Sequence, residues 1–365
     1  MKMQRRISAP GKLVILGEYA VLFGAPAAVM AINRRAVVTA EEARGERWLV
    51  SAPGIVATTA GCAVEPSGRV LWDDAGKGAR LELFERVVGG MVSRGLLDPS
   101  TLPPQKLDLD TTAFFDARGT ERLKLGLGSS AALTVALAGA LTGPREQTRA
   151  VELNWVQALV ELHRALQGGL GSGIDVAASA CGGVVGYELG GEGSVAGIVP
   201  IQWPEEIHRL CVWTGKSAST HSFLDRLREK RASSPGVVDE ALERLGGVSE
   251  RGVDALARND PFRFLDAVDR FWEALDVLGR VIEMPILSEA HRRLRELGTR
   301  CGVHYKPSGA GGGDFGICFG TDEERIFEFS LCAREAGFST PELAEDRAGT
   351  VIAGMEGRAE PLGMR

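Results

Sequence analysis

Three glycine-rich stretches constrain this chain more than any hydrophobic pattern does. Gly126-Leu-Gly-Ser-Ser-Ala-Ala132 runs directly into an alanine-rich segment, Gly168-Gly-Leu-Gly-Ser-Gly-Ile-Asp175 precedes the small-residue run Val176–Ala180, and Lys306-Pro-Ser-Gly-Ala-Gly-Gly-Gly-Asp314 carries three consecutive glycines after Gly309. Glycine makes up 47 of 365 residues, nearly twice the usual share of about 7%. Each glycine loses more backbone freedom on folding than any other residue. Clusters of them therefore mark places where the chain needs positive φ or where bare backbone must lie against something else.

The length predicts two domains of roughly 150 residues each or slightly more, and 44% hydrophobic with 25% charged residues is the profile of a globular protein. The formal charge is 42 − 48 = −6. No overall basic field draws the chain to nucleic acid, which is not an expected partner, and an anionic ligand must be held by local groups. Of 42 cationic residues only 8 are lysines, and Lys12, Lys124, Lys216 and Lys306 all fall beside the glycine- and serine-rich segments. Lysine supplies a compact point charge where arginine supplies a planar fork. The six cysteines show no CxxC or metal-ligand spacing and read as reduced. Lys12 and Glu18 interrupt the first apolar stretch, and the run Ala131–Leu141 is too short to span a bilayer. The expected location is the cytoplasm, with no membrane partner.

Leu13–Leu16, Ala36–Val38, Leu107–Asp110, Val184–Tyr187 and Gly316–Phe319 read as strands. Helices are expected over Ser130–Leu141, over Thr148–Leu166, after Asp260-Pro261 with Phe264, Val268, Phe271 and Leu275 on one stripe, and after a capping box at Thr321–Glu324. The fold class is α+β in two lobes, residues 1–200 and 201–365, divided near Pro200–Pro204.

The segments point to anion chemistry. Backbone amides of Gly126–Ala132, with the free amides of the helix that follows, form a cradle for a phosphate, and Ser129 and Ser130 add hydroxyls; the plainer alternative is a capped helix after a turn. The G-x-G-x-x-A match to a dinucleotide fingerprint lacks the buried strand before it. Gly215-Lys216-Ser217 ends like a Walker loop, but Leu210 stands where its first glycine belongs. Asp175 is either a helix N-cap or a carboxylate aimed at a ligand. Lys12 and Glu18, at the two ends of Leu13–Leu16, are either solvated or facing a ligand.

Pro10–Glu18, Gly126–Ala132 and Lys306–Asp314 together resemble, in order and spacing, the three motifs of the galactokinase, homoserine kinase, mevalonate kinase and phosphomevalonate kinase (GHMP) superfamily. Within it, four details are most like the phosphomevalonate kinases. They are Glu18-Tyr19-Ala20; Lys124 leading into the loop; His163, Gln167-Gly168 and Gly171–Ala177; and Trp213-Thr-Gly-Lys-Ser-Ala-Ser-Thr220. Arg122 departs from the superfamily pattern, which has proline there.

The resemblance implies an amino-terminal lobe like domain 2 of ribosomal protein S5 and a ferredoxin-like carboxy-terminal lobe. It also implies transfer of the γ-phosphoryl of ATP, with Mg²⁺, to (R)-5-phosphomevalonate, by a monomer or homodimer. Mevalonate or another small alcohol as acceptor is the nearest alternative, and a non-catalytic ligand sensor is a further one. By the same resemblance Lys12, Asp175 and Lys216 serve the reacting phosphates. Lys124, Gly126, Leu127, Gly128, Ser129, Ser130 and Ala131 hold ATP, Ser130 also meeting the metal. Glu18, Tyr19, Ser172, Gly173, Ser217, Ser219, Thr220, Lys306, Ser308, Gly309, Ala310, Gly311, Gly312 and Asp314 face the substrate. A carboxylate for the metal is left open between Glu161 and the position near Arg164.

Overall fold

The computed structural model describes residues 4–116, 123–143, 149–169, 171–217, 220–353 and 359–361. Strands β1 (Arg5–Leu16), β2 (Ala27–Glu42), β3 (Trp48–Ser51), β4 (Ala60–Val64), β5 (Val70–Trp72) and β6 (Gln105–Asp110) open the chain, with helices α1 (Ala75–Arg80) and α2 (Glu82–Ser93) before β6. A ribbon of β7 (Phe115–Asp116) and β8 (Leu123–Lys124) follows, then α3 (Ser129–Thr142), α4 (Arg149–Leu166), α5 (Ile174–Cys181), β9 (Val184–Leu189) and β10 (Val195–Ile201). The second lobe contains β11 (His208–Trp213), α6 (Thr220–Ser233), α7 (Pro235–Ala257), α8 (Pro261–Val281), α9 (Glu289–Cys301), β12 (His304–Ser308), β13 (Phe315–Gly320) and α10 (Glu323–Glu335). Finally β14 (Val351–Ala353) and β15 (Ala359–Pro361) return to the first lobe, where β14 pairs antiparallel with β1.

The first lobe rests on a ten-stranded sheet in the order β15-β14-β1-β2-β6-β3-β4-β5, with β9 joining β2 and β10 joining β9. β2 serves two neighbourhoods. Its first six residues are all buried, and four of them pair with β9; its second half alternates buried and half-buried residues beside β6. Under this sheet lies α3, in which Ser129 and every residue from Ala131 to Leu141 are buried. A helix apolar on all sides is stable only in an interior, and its alanines let it pack against both β1 and β2.

In the second lobe β11-β13-β12 form an antiparallel sheet. α8 opens as its sequence indicates, with Pro261 in the first turn and the Asp260 side chain accepting from Arg263 N at 3.1 Å. Its stripe of Phe264, Val268, Phe271 and Leu275 is buried. α10 departs from expectation by one residue. Its cap is Asp322, not Thr321, with Oδ1 accepting from Glu324 N at 2.9 Å and Arg325 N at 3.3 Å. Aspartate supplies a charged acceptor at the positive end of the helix, which the threonine hydroxyl does not. One continuous apolar cluster runs through both lobes, with a smaller one around Leu294, Tyr305 and Phe329. None of the six cysteines forms a disulfide.

Candidate active site

β1 carries Lys12 to the edge of the Gly126–Ala132 loop. The Lys12 N–H donates to Leu127 O at 2.9 Å, so the first and second motifs are hydrogen-bonded to each other. Gly128 ends the loop at φ +81°, in the left-handed region, and α3 starts with no side chain capping it. Its first-turn amides therefore have no intrahelical acceptor and point toward the loop mouth. A β-carbon on Gly128 would lie 3.0 Å from Lys12 Cγ and 3.8 Å from Asp175 Cβ. The loop, the lysine and the carboxylate thus meet at one place.

Asp175 is not an N-cap. Gly173 holds that position at φ +80°, which puts Asp175 in the first turn of α5. Its side chain is one-fifth exposed, and Oδ1 accepts from Val176 N at 3.0 Å. Beside it opens a cavity of about 170 Å³ whose polar lining includes Lys12, Glu18, Tyr19, Ser172 and Asp175. Val14, Val21, Ile174 and Leu224 supply an apolar wall. The cavity's charged lining is therefore one ammonium, Lys12, and two carboxylates, of which Glu18 is paired with Lys306, set against an apolar side.

The third motif behaves differently. Lys306 is completely buried, and its ammonium donates to Glu18 Oε1 and to Pro307 O, both at 2.6 Å. Gly309 N donates to the same Glu18 oxygen at 3.1 Å. Burial lowers the Lys306 pKa, while the Glu18 carboxylate acts to raise it. Ser308 Oγ donates to Val14 O at 3.0 Å and accepts from Val14 N at 2.9 Å, and the Tyr19 hydroxyl donates to Ala310 O. Burial and the Glu18 charge push the Tyr19 phenol well above its usual range. These contacts fasten the two lobes together. They leave Lys306 and Ser308 beneath the cavity, with Gly309 and Ala310 in its wall. Gly311 is buried against Ile286, whose carbonyl accepts from Gly312 N at 2.8 Å.

Asp314 closes the motif over the phosphate-type loop, its carboxyl carbon 2.4 Å from where a Gly126 β-carbon would sit. Its N–H donates to Lys216 O at 2.7 Å, and Thr214 N donates to Asp314 O at 3.0 Å. This ties the exposed Lys216-Ser217 turn to the same rim. Lys124 is exposed on β8 at the loop's entry. Ser219 and Arg122 lie outside the described residues, as does the side chain of Thr220.

Of the two loop serines, Ser129 is buried and Ser130 half-buried, its hydroxyl 3.2 Å from His163 Nε2. Glu161 is exposed and engaged by Gln157 on its own helix, while Arg164 donates to Gly169 O at 3.5 Å. Among the described residues no three His, Cys, Asp or Glu side chains gather as a metal cage. Mg²⁺ serving nucleotides needs only one or two protein oxygens besides phosphate. The Ser130 hydroxyl, in the first turn of α3 beside the loop, fits that demand. No local pattern signals Leu224 in the cavity wall or the contact of His163 with Ser130.

Residues 112–183 match the family described as GHMP kinases N terminal domain. Mevalonate kinase of Pyrococcus furiosus is 28% identical over 93% of this chain and 95% of its own length. Phosphomevalonate kinase of a Streptomyces species is 29% identical over 85% of this chain and 88% of its own. Among solved structures, Streptococcus pneumoniae phosphomevalonate kinase in complex with phosphomevalonate and AMPPNP superposes with a TM-score of 0.72 at 18% identity, covering 93% of this chain and 99% of that one. The chain thus has the two-lobed GHMP kinase fold and resembles that superfamily throughout. The phosphomevalonate kinases are among the proteins it resembles.

Proposed function

We propose that this protein is an ATP-dependent kinase of the mevalonate pathway that phosphorylates (R)-5-phosphomevalonate to 5-diphosphomevalonate. The observation that carries the reading is that Lys12 and Asp175, which line one small cavity, both lie against the uncapped loop at Gly128. In this reading the amides of Gly126–Ala131 hold the ATP phosphates. Lys12, with Lys216 on the facing rim, neutralises charge between the two anionic reactants. Mg²⁺, when bound through the nucleotide, would add charge neutralisation at the phosphates, with Ser130 as its protein oxygen.

The acceptor is itself a phosphate. A phosphomonoester's second pKa is about 6, so its oxygen is already mostly ionised at neutral pH. A general base has little to remove, and the larger barrier is repulsion between polyanions, which positioning and positive charge lower. Asp175 then orients Lys12 or the acceptor. The Streptomyces relative supports this acceptor. A second reading, mevalonate as acceptor, is favoured by the Pyrococcus relative and its coverage of nearly the whole chain.

An ADP-release assay with each acceptor in turn separates them. Turnover with phosphomevalonate and not mevalonate is the expected result; the reverse selects mevalonate kinase, and none with either acceptor overturns both. Asp175→Asn provides a second test. With a phosphate acceptor it should reduce kcat mildly and leave the shape of the pH–rate profile intact. Loss of a single essential base in that variant would reject the orienting role.

A further inference from the structure

We infer that His163 is a positioning residue that turns the Ser130 hydroxyl oxygen toward a cation carried on the nucleotide's phosphates. The inference rests on the nucleotide reading above. His163 lies on α4 with no exposed surface. Its Nε2 is 3.2 Å from Ser130 Oγ, while Nδ1 has no hydrogen-bond partner and lies 3.8 Å from Asp175 Oδ1.

A neutral imidazole has one N–H and one lone pair, so the neighbours choose the tautomer. With the proton on Nε2, the Nδ1 lone pair of the buried ring would face the Asp175 carboxylate 3.8 Å away, a repulsion strengthened on the ring's low-dielectric side. With the proton on Nδ1, an N–H faces that carboxylate and Nε2 accepts from Ser130. The second arrangement satisfies both ends. It also fixes the serine: its proton turns inward to the ring, and its lone pairs face the loop mouth. An oxygen presented in this way attracts a cation and offers nothing to a phosphate oxygen. An unassisted hydroxyl would rotate and serve either. His163 therefore decides which partner Ser130 takes, without touching a reactant itself.

The test is calorimetric binding of AMPPNP with and without Mg²⁺ to the full chain and to His163→Gln, His163→Asn and His163→Leu. A glutamine amide reaches the Nε2 position and can accept from Ser130; asparagine reaches only the Nδ1 position. The affinity gained on adding Mg²⁺ should fall about tenfold in His163→Leu and His163→Asn, the lower end for groups that orient a metal ligand. It should stay near the unmodified value in His163→Gln, and affinity without metal should be equal in all four proteins. If His163→Leu shows no cooperative thermal transition, the glutamine–asparagine contrast decides alone. Full retention of the Mg²⁺ gain by His163→Asn, or equal losses with and without metal, would overturn the inference and leave the nucleotide reading standing. An unmodified chain that binds no AMPPNP would overturn both.

Discussion

The glycine motifs Gly126–Ala132 and Lys306–Asp314 look alike in sequence and do opposite things in the structure. Gly126–Ala132 leaves its helix uncapped and its first-turn amides turned outward beside Lys12. Lys306–Asp314 turns its polar groups inward: Lys306 to Glu18, Ser308 to Val14, Gly312 to Ile286 and Gly313 O to His291 Nε2. The first uses glycine to present backbone to a ligand, and the second uses it to let two lobes approach closely enough to lock. Enrichment in glycine thus marks close approach without saying what approaches.

The sharpest way to break this contrast is at the two lysines. Lys306→Met leaves the Glu18 carboxylate buried without its charge partner, which should cost about 3–5 kcal/mol of stability, read as a fall in the urea midpoint. Adding Glu18→Leu should restore most of that loss, because an apolar pair of similar volume replaces a buried ion pair at little net cost. Lys12→Met should do the reverse, lowering kcat by about 10²–10³ as for a lost charge-stabilising donor while the urea midpoint stays put. Near-normal turnover would remove Lys12 from the reaction.

A smaller effect should come from pH. Burial pushes the His291 pKa down from 6.5 to about 4, and its Nε2 donates to Gly313 O at 3.0 Å behind the locked motif. A base depressed in the fold contributes fully above its unfolded pKa and loses that contribution as pH falls. Stability should therefore decline from about pH 6.5 toward pH 4, by about 2 kcal/mol at pH 5. His291→Gln should flatten that slope in thermal melts across the same range.

The smallest expected effect on stability is at Gly128, with Gly311 as its contrast. Gly128→Ala and Gly311→Ala both force alanine into positive φ, at +81° and +78°, costing about 1–2 kcal/mol each. Gly311→Ala also drives its β-carbon to 2.3 Å from Ile286 O, a backbone atom, and should lower the urea midpoint further. Gly128→Ala meets the flexible Lys12 chain at 3.0 Å and should appear mainly as weaker nucleotide binding. Equal effects of the two on stability and binding would erase the distinction.

Much of this was legible in the residues. The apolar run of α3, the stripe of α8, the strand cores of β1, β6, β9 and β13, and the positive-φ glycines at 126, 128 and 173 follow from patterns a few residues long. α7 and the short strands β3 to β5 carry no comparable local pattern, and Asp322, one residue past the Thr321 of the capping-box pattern, caps α10. Local propensity and spacing decided where backbone would be bare and where charges would flank it. Which charge faces the cavity and which is sealed beneath it depended on partners such as Glu18 and Lys306, 288 positions apart. Ring hydrogen bonds like that of His163 to Ser130 arose in the same way. Desolvation and pairing act on whatever folding brings within a few ångströms, and chain distance carries no trace of that.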